Sequence, residues 1–180
     1  MTRQLQYGPT AKVLHWLVVV LLIFQYSIGW IMPNIKRGAD PGVGMTLHVS
    51  LGITILAIVL ARLAWRLTHP VAPESSLPPW HRVTSEAVHW LLYALVLATT
   101  LTGWLFASAR GWTIAWFYVL PLPMLTGGNA QLLHSIDGLH QDFLWALLAL
   151  IGLHVASAFV HLLIYRDGVM RRMLPGNVAP

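Results

Sequence analysis

Residues 139–161 read LHQDFLWALLALIGLHVASAFVH, and this stretch decides the fold. No Asp, Glu, Lys or Arg interrupts the chain between Asp142 and Arg166. A helix needs about 20 apolar residues to cross the hydrocarbon of a bilayer, and this segment supplies them. It also carries His140, His154 and His161. An ionisable side chain at such a depth costs free energy unless it has a partner, so it marks a functional site by default. Fourteen residues rise about 21 Å and return to within about 40° of the starting azimuth, and seven more drift only about 20° further. The three imidazoles therefore share one helix face at different depths.

Three further apolar runs precede it, and the four spans are expected at about residues 13–35, 45–67, 84–109 and 138–165. The first lies between Lys12 and Lys36 without an internal charge. It is longer than the apolar core of a secretory signal and no small-x-small cleavage site follows it. With Ile31-Met32-Pro33-Asn34 as a helix exit, it reads as a membrane span. The fold class is all-α: one integral membrane domain over residues 1–180, built as a four-helix transmembrane bundle.

Composition agrees. Of the 180 residues 57% are hydrophobic and 9% charged, against about 25% charged in an ordinary soluble domain. The absence of cysteine excludes disulfides, thiolate metal sites, iron–sulfur clusters and covalent c-type haem attachment. The net charge of +5 comes from cations at the ends of apolar segments, which points to topology control and not to nucleic acid. With both termini in the cytoplasm, the inner side holds Arg3, Lys12, Arg62, Arg66, Arg82, Arg166, Arg171 and Arg172, and the outer side only Lys36, Arg37 and Arg110. Positive charge inside fixes that orientation.

The connector from Thr68-His69-Pro70 to Pro78-Pro79-Trp80 is Pro-rich and stiff. Residues 111–137 contain Trp112, Trp116, Phe117 and Tyr118, then Pro121, Pro123 and Gly127-Gly128-Asn129. Aromatics favour the headgroup layer, so this stretch is expected to form a lid on the outer surface. His69, His81 and His134 read as loop residues.

Imidazoles spread over several helices, without thiolates, point to a metal held between helices, with haem iron the first candidate. A bis-imidazole b-type haem takes its axial ligands from facing helices. His48 and His140 each lie near the outer start of their spans and pair naturally by spacing. On the inner side His15, His89, His154 and His161 compete. Counting from the flanking charges matches His15 with His161 and His89 with His154, with an error of a helical turn. Gly52, Gly103 and Gly152 would let backbones or a flat ring approach closely. Arg62 and Arg66 suit haem propionates, and snorkelling charges at a helix end would look the same.

Several pieces together resemble the bacterial cytochrome b561 family of small di-haem, quinone-linked membrane cytochromes. They are Leu14-His15-Trp16-Leu17, Leu47-His48-Val49-Ser50-Leu51-Gly52, Arg62 with Arg66 and Pro70, and Ala87-Val88-His89-Trp90. Leu139-His140, Gly152-Leu153-His154, His161 and the tail Arg171-Arg172-Met173-Leu174-Pro175 complete the set. The resemblance implies haem ligation by His15 with His154 inside and by His48 with His140 outside. It leaves His89 and His161, expected near one another on the inner side, for a quinone site, since quinone reduction takes up protons with electrons.

The function that follows is electron transfer across the bacterial inner membrane, between the quinone pool and an outer-side donor or acceptor. The resemblance implies two haem b groups, ubiquinone as substrate, and superoxide as one candidate donor. It also allows a haem subunit of a larger dehydrogenase or hydrogenase. A proton or metal-ion transporter with a histidine relay is the reading from another class, but the spans carry almost no acidic partners and no mid-membrane helix break. A plain membrane anchor leaves the cost of the buried imidazoles unexplained.

Overall fold

The computed structural model describes residues 7–36, 39–72, 79–127 and 130–174. Arg3, Arg37, Gly128, Asn129, Pro175 and residues 73–78 of the Pro-rich connector lie outside the described residues. Four helices are long and apolar enough to cross a membrane. They are α1 (Pro9–Ile31), α2 (Gly42–Thr68), α3 (Pro79–Ala109) and α4 (Ala130–Val160). Their 23 to 31 residues correspond to roughly 35–46 Å of helix.

The ends of these helices follow from local chemistry. Pro9 occupies the first turn of α1, where its missing N–H is not needed. Met32 N–H closes on Ile28 O at 2.9 Å and Pro33 then stops the helix. His69 N–H likewise bonds Trp65 O at 2.9 Å, ahead of Pro70. Inside the helices hydroxyls fold back on carbonyls one turn earlier, as Thr46 does on Gly42, Ser50 on Thr46, Thr54 on Ser50 and Thr99 on Leu95. Such bonds satisfy polar groups where lipid offers no partner.

The apolar residues are distributed inside out. Ile23, Trp30, Trp145, Leu153 and Ile164 are exposed, while Thr46, Ser50, Ser108 and His161 are buried. That pattern suits a hydrocarbon solvent. The interior apolar contacts centre on Val18, Ile55, Val59, Tyr93, Val96 and Leu147. A second cluster, of Val49, Ala107, Trp112 and Ile114, lies where the loops from α1 to α2 and from α3 to α4 meet. We call this the loop end, and the opposite end, where α1 begins and α4 ends, the terminal end.

Packing is sequential: α1 on α2, α2 on α3 and α3 on α4. Among the described residues α1 and α4 approach only slightly. They meet through side chains, with Tyr26 Oη donating to Leu144 O at 2.9 Å and the rings of His15 and His154 set edge-on at 77°. A seam therefore runs between the first and last helices.

Two expectations about the long loop change. Helix α4 begins at Ala130 and not at 138, because Ala130-Gln131-Leu132-Leu133 favours helix and Ile136 finds burial there. The remaining loop is a short antiparallel hairpin, β1 (Ala115–Trp116) with β2 (Leu120–Pro121). It does not merely lie across the surface. Trp116 Nε1 donates to Thr54 Oγ1 at 3.0 Å and Phe117 N–H to Ser50 Oγ at 2.9 Å. Thr54 lies 12 residues into α2, so the hairpin runs down the side of that helix. Irregular backbone at depth is tolerated where protein groups pair with it. Phe117 and Tyr118 take φ of 45° and 63° at the hairpin tip, a region non-glycine residues seldom adopt.

Candidate functional site

At the loop end the sequence brings two imidazoles against two glycine backbones. His48 projects from α2 towards α1, where a Cβ on Gly29 would sit 3.3 Å from its Cε1. His140 projects from α4 towards α3, where a Cβ on Gly103 would sit only 2.9 Å from its Cε1. His140 Nδ1 lies 3.0 Å from Thr99 O. A carbonyl can only accept, so Nδ1 carries the hydrogen and Nε2 keeps its lone pair, the form that binds metals. Thr102 Oγ1 is also 3.3 Å from that nitrogen.

His48 is held differently. Its Nε2 lies 3.1 Å from Gln25 Nε2, so the amide donates and the ring accepts. His48 Nδ1 and Gln25 Oε1 are then both buried without a hydrogen-bond partner among the described residues. Buried polar atoms are rarely left so. An imidazole that gives one nitrogen to a metal offers the other as a donor, which is what Gln25 Oε1 lacks. Gly52, expected to admit the cofactor, instead faces Gln25 Nε2 at 3.5 Å, and a Cβ at Gly152 would meet nothing within 4 Å. Gly29 and Gln25 were not singled out in the sequence, which showed only that they lie on the first span.

Towards the terminal end every helix contributes to a second cluster. The ring of His154 on α4 lies 6.4 Å from that of His15 on α1 and 5.3 Å from that of His89 on α3, centroid to centroid. Arg62 of α2 donates from Nη1 to His15 Nδ1 at 2.7 Å. Its guanidinium also lies 5.8 Å from the Tyr93 ring, while Arg66 lies 5.7 Å from the same ring and 5.2 Å from Trp90. Aromatic faces offset part of the cost of holding cations here. Among the described residues neither arginine has a carboxylate partner, so the site offers two cations to an incoming anion. His89 Nδ1 lies 2.6 Å from Ser85 O, which makes Nδ1 the donor and leaves Nε2 with its lone pair.

A third cluster lies at the terminal end itself. After α4 the chain makes a π turn over His161–Tyr165, closed by Arg166 at φ 53°. His161 Nδ1 meets Asp167 Oδ2 at 2.5 Å, and Asp167 Oδ1 accepts from Val169 N–H at 3.0 Å. The His161 ring contacts His81 and Tyr165, with centroids 5.6 and 5.3 Å away. Thus His161 does not sit beside His89, as expected from the sequence. It lies with His81 about 10–12 Å further along the bundle, since seven residues separate it from His154 and eight separate His81 from His89. His81 is not a loop residue, because α3 extends back to Pro79. His134 also lies in a helix, and His69 ends α2 stacked on Trp65 at 3.8 Å. Trp16 Nε1 donates to Met173 O at 2.9 Å, and Arg172 Nη2 to Ala72 O at 2.7 Å, so the segment after the π turn is strapped across this end.

The comparisons with known proteins agree with this architecture. Residues 6–176 match the family model of prokaryotic cytochrome b561. A cytochrome b561 homolog 2 of Escherichia coli (strain K12) is 26% identical over 171 residues, covering 94% of this chain and 91% of the relative. A protein of Yersinia pestis named probable superoxide oxidase CybB is 28% identical over 164 residues, with 90% and 92% covered. Cytochrome b562 of Cereibacter sphaeroides is 28% identical over 181 residues, with 97% and 98% covered. With the family match over nearly the whole chain and four apolar helices beneath it, this chain belongs to the prokaryotic cytochrome b561 family, as a multi-pass b-type cytochrome of the bacterial inner membrane that serves electron transfer.

Proposed function

We propose that the protein carries electrons across the membrane through two b haems, between ubiquinone at the terminal end and a redox partner at the loop end. The observation that carries this reading is the pair of imidazole clusters at two depths, about 21 Å apart along α4. His48 and His140 hold one haem and His15 and His154 the other. Support for the second pairing comes from the seam. Helices in direct contact lie about 8–10 Å apart and hold side chains between them, as α3 and α4 do, whereas α1 and α4 leave room for a flat ring. When bound, haem iron supplies one-electron acceptance and release, with a potential set by ligands and surroundings.

The remaining roles belong to side chains. Gly29 and Gly103 let the loop-end imidazoles lie against the neighbouring backbones. Arg62 and Arg66 take the propionates, since planar guanidinium forks match carboxylates. For Arg62 this means giving up His15 Nδ1, which then carries the hydrogen as His15 binds through Nε2. His161, with Asp167 on its Nδ1, handles the proton at the quinone site: reducing ubiquinone to ubiquinol takes two electrons and two protons. The excess of Lys and Arg in the segments assigned to this end supports a cytoplasmic side for this site and for both termini.

At the loop end the donor is superoxide, a reading supported by the name of the Yersinia pestis relative. Each superoxide gives up one electron and leaves as O2, so two are needed per ubiquinone. Arg110 is no free lure for such an anion. It donates to Ile35 O at 3.1 Å and stacks 4.8 Å from the Trp112 ring, clamping the lid.

The test is protein purified in mild detergent, with a haem assay and reduced-minus-oxidised spectra. Two b haems per chain are expected, and colourless protein overturns the reading. Replacing His48 or His140 by Ala removes one haem and spares the other. If both variants keep both haems, the loop-end pairing is wrong. Stopped-flow reduction by superoxide, compared with ubiquinol, then identifies the donor.

A further inference from the structure

We propose that His89 is a positioning residue for the terminal-end haem: with the haem bound, its Nε2 takes the Nδ1–H of His154, and so tunes the ligand from behind. The inference rests on the two-haem reading above and gives a role to an imidazole which that reading leaves over.

Three observations carry it. The first is the tautomer. Ser85 O, 2.6 Å from His89 Nδ1, can only accept, so His89 presents Nε2 as an acceptor. The second is placement. The rings of His89 and His154 are 5.3 Å apart and at 76°, which brings a ring edge of one to the other. His154 itself has no hydrogen bond among the described residues; its only contacts of this kind are the rings of His15 and His89. An axial imidazole that binds through Nε2 must place its Nδ1–H somewhere, and metal-ligating histidines almost always give it to a carbonyl, carboxylate or water. The third is packing. Direct contact between α3 and α4 leaves no slot for a macrocycle between His89 and His154. The apolar groove of Leu91, Leu95, Ala146, Ala149, Leu150 and Leu153 opens on another side, since Leu91 and Leu95 lie about 160° and about 120° around α3 from His89. His15 would therefore hold the haem together with His154, with His89 left behind His154.

The chemistry gives the sign. An acceptor on Nδ1–H makes the ligating nitrogen more basic, and a more basic ligand favours ferric over ferrous iron. Removing the acceptor raises the midpoint potential of that haem alone. Ser85 fixes the tautomer through its backbone, so the lever is His89 itself.

The experiment compares His89→Leu with His89→Gln in the haem-loaded full chain, by potentiometric titration and low-temperature EPR. Both variants are expected to keep two low-spin haems. In His89→Leu the terminal-end haem becomes easier to reduce by roughly tenfold in its reduced-to-oxidised ratio, a shift of about 59 mV for one electron, with altered EPR g-values. In His89→Gln, whose amide oxygen still accepts, the shift is smaller. The loop-end haem stays put in both. Unchanged potentials and g-values in His89→Leu overturn the proposal. So does loss of the low-spin signal, which would make His89 a ligand. Should the Leu chain not accumulate, His89→Asn, one methylene too short to reach, replaces it in the comparison with Gln. The haem count of the unaltered protein tests the two-haem reading separately, so the two failures are distinguishable.

Discussion

Gly103→Ala is the sharpest perturbation that the loop-end cluster offers. The new methyl carbon would lie 2.9 Å from His140 Cε1 and 3.4 Å from its Nδ1, where ordinary contact begins at 3.4 Å. The imidazole must therefore retreat by about half an ångström. It cannot do so freely, because Nδ1 is held 3.0 Å from Thr99 O. Stretching that bond forfeits about 0.5–1.5 kcal/mol, and overpacking adds about 1–3 kcal/mol. The sum, about 1.5–4.5 kcal/mol, falls on a proposed haem ligand. We expect Gly103→Ala to lose the loop-end haem or shift its spectrum while sparing the other. The contacts predict a graded series: Gly29→Ala, at 3.3 Å from His48 Cε1, is milder, Gly52→Ala, at 3.5 Å from Gln25, milder still, and Gly152→Ala neutral. Haem content and redox spectra of the four variants measure it. The reasoning is refuted if Gly103→Ala keeps both haems with unshifted spectra, or if Gly152→Ala is equally damaging.

Two other perturbations probe the ends of the molecule. Asp167→Asn removes the carboxylate from His161 Nδ1 and should slow quinol-driven haem reduction severalfold with both haems retained; an unchanged rate would take the His161–Asp167 couple out of the quinone site. Ser50→Ala strips the acceptor from Phe117 N–H and should lower stability by about 1–3 kcal/mol, read by thermal unfolding in detergent, and a wild-type midpoint would mean the hairpin does not dock along α2.

How far the sequence could be read depended on which physical term decided each feature. The four spans were legible because length and hydropathy alone decide them. The shared face of His140, His154 and His161 was legible because helical periodicity is fixed, and all three do turn towards α3, at Thr99, His89 and His81. Depth was not legible to within a turn. Counting from flanking charges assumes flat boundaries and equal tilt, so it set His15 beside His161, while the structure sets it beside His154. The same count set His89 with His154, whose rings do lie 5.3 Å apart; the expectation that His89 and His161 lie together came from the resemblance, which left both without a haem. Gly29 escaped notice because a glycine in an apolar run says nothing about which neighbour it admits until the helices are paired. The depth of the hairpin was hidden too, since aromatic composition is the same for a lid that rests on a bundle and one that runs down its side.

The seam between α1 and α4 has a topological consequence. Every other junction in the packing order is crossed by a loop, at residues 32–41, 69–78 or 110–129. This one joins the first helix to the last, so no connection has to stretch when it widens. Among the described residues two hydrogen bonds fasten it, Tyr26 to Leu144 towards the loop end and, through the segment after α4, Trp16 to Met173 at the terminal end. The bundle is thus closed like a folder, with its spine along α2 and α3 and its opening edge towards lipid. A large planar guest can enter by that edge after all four helices have been inserted, without unthreading any of them.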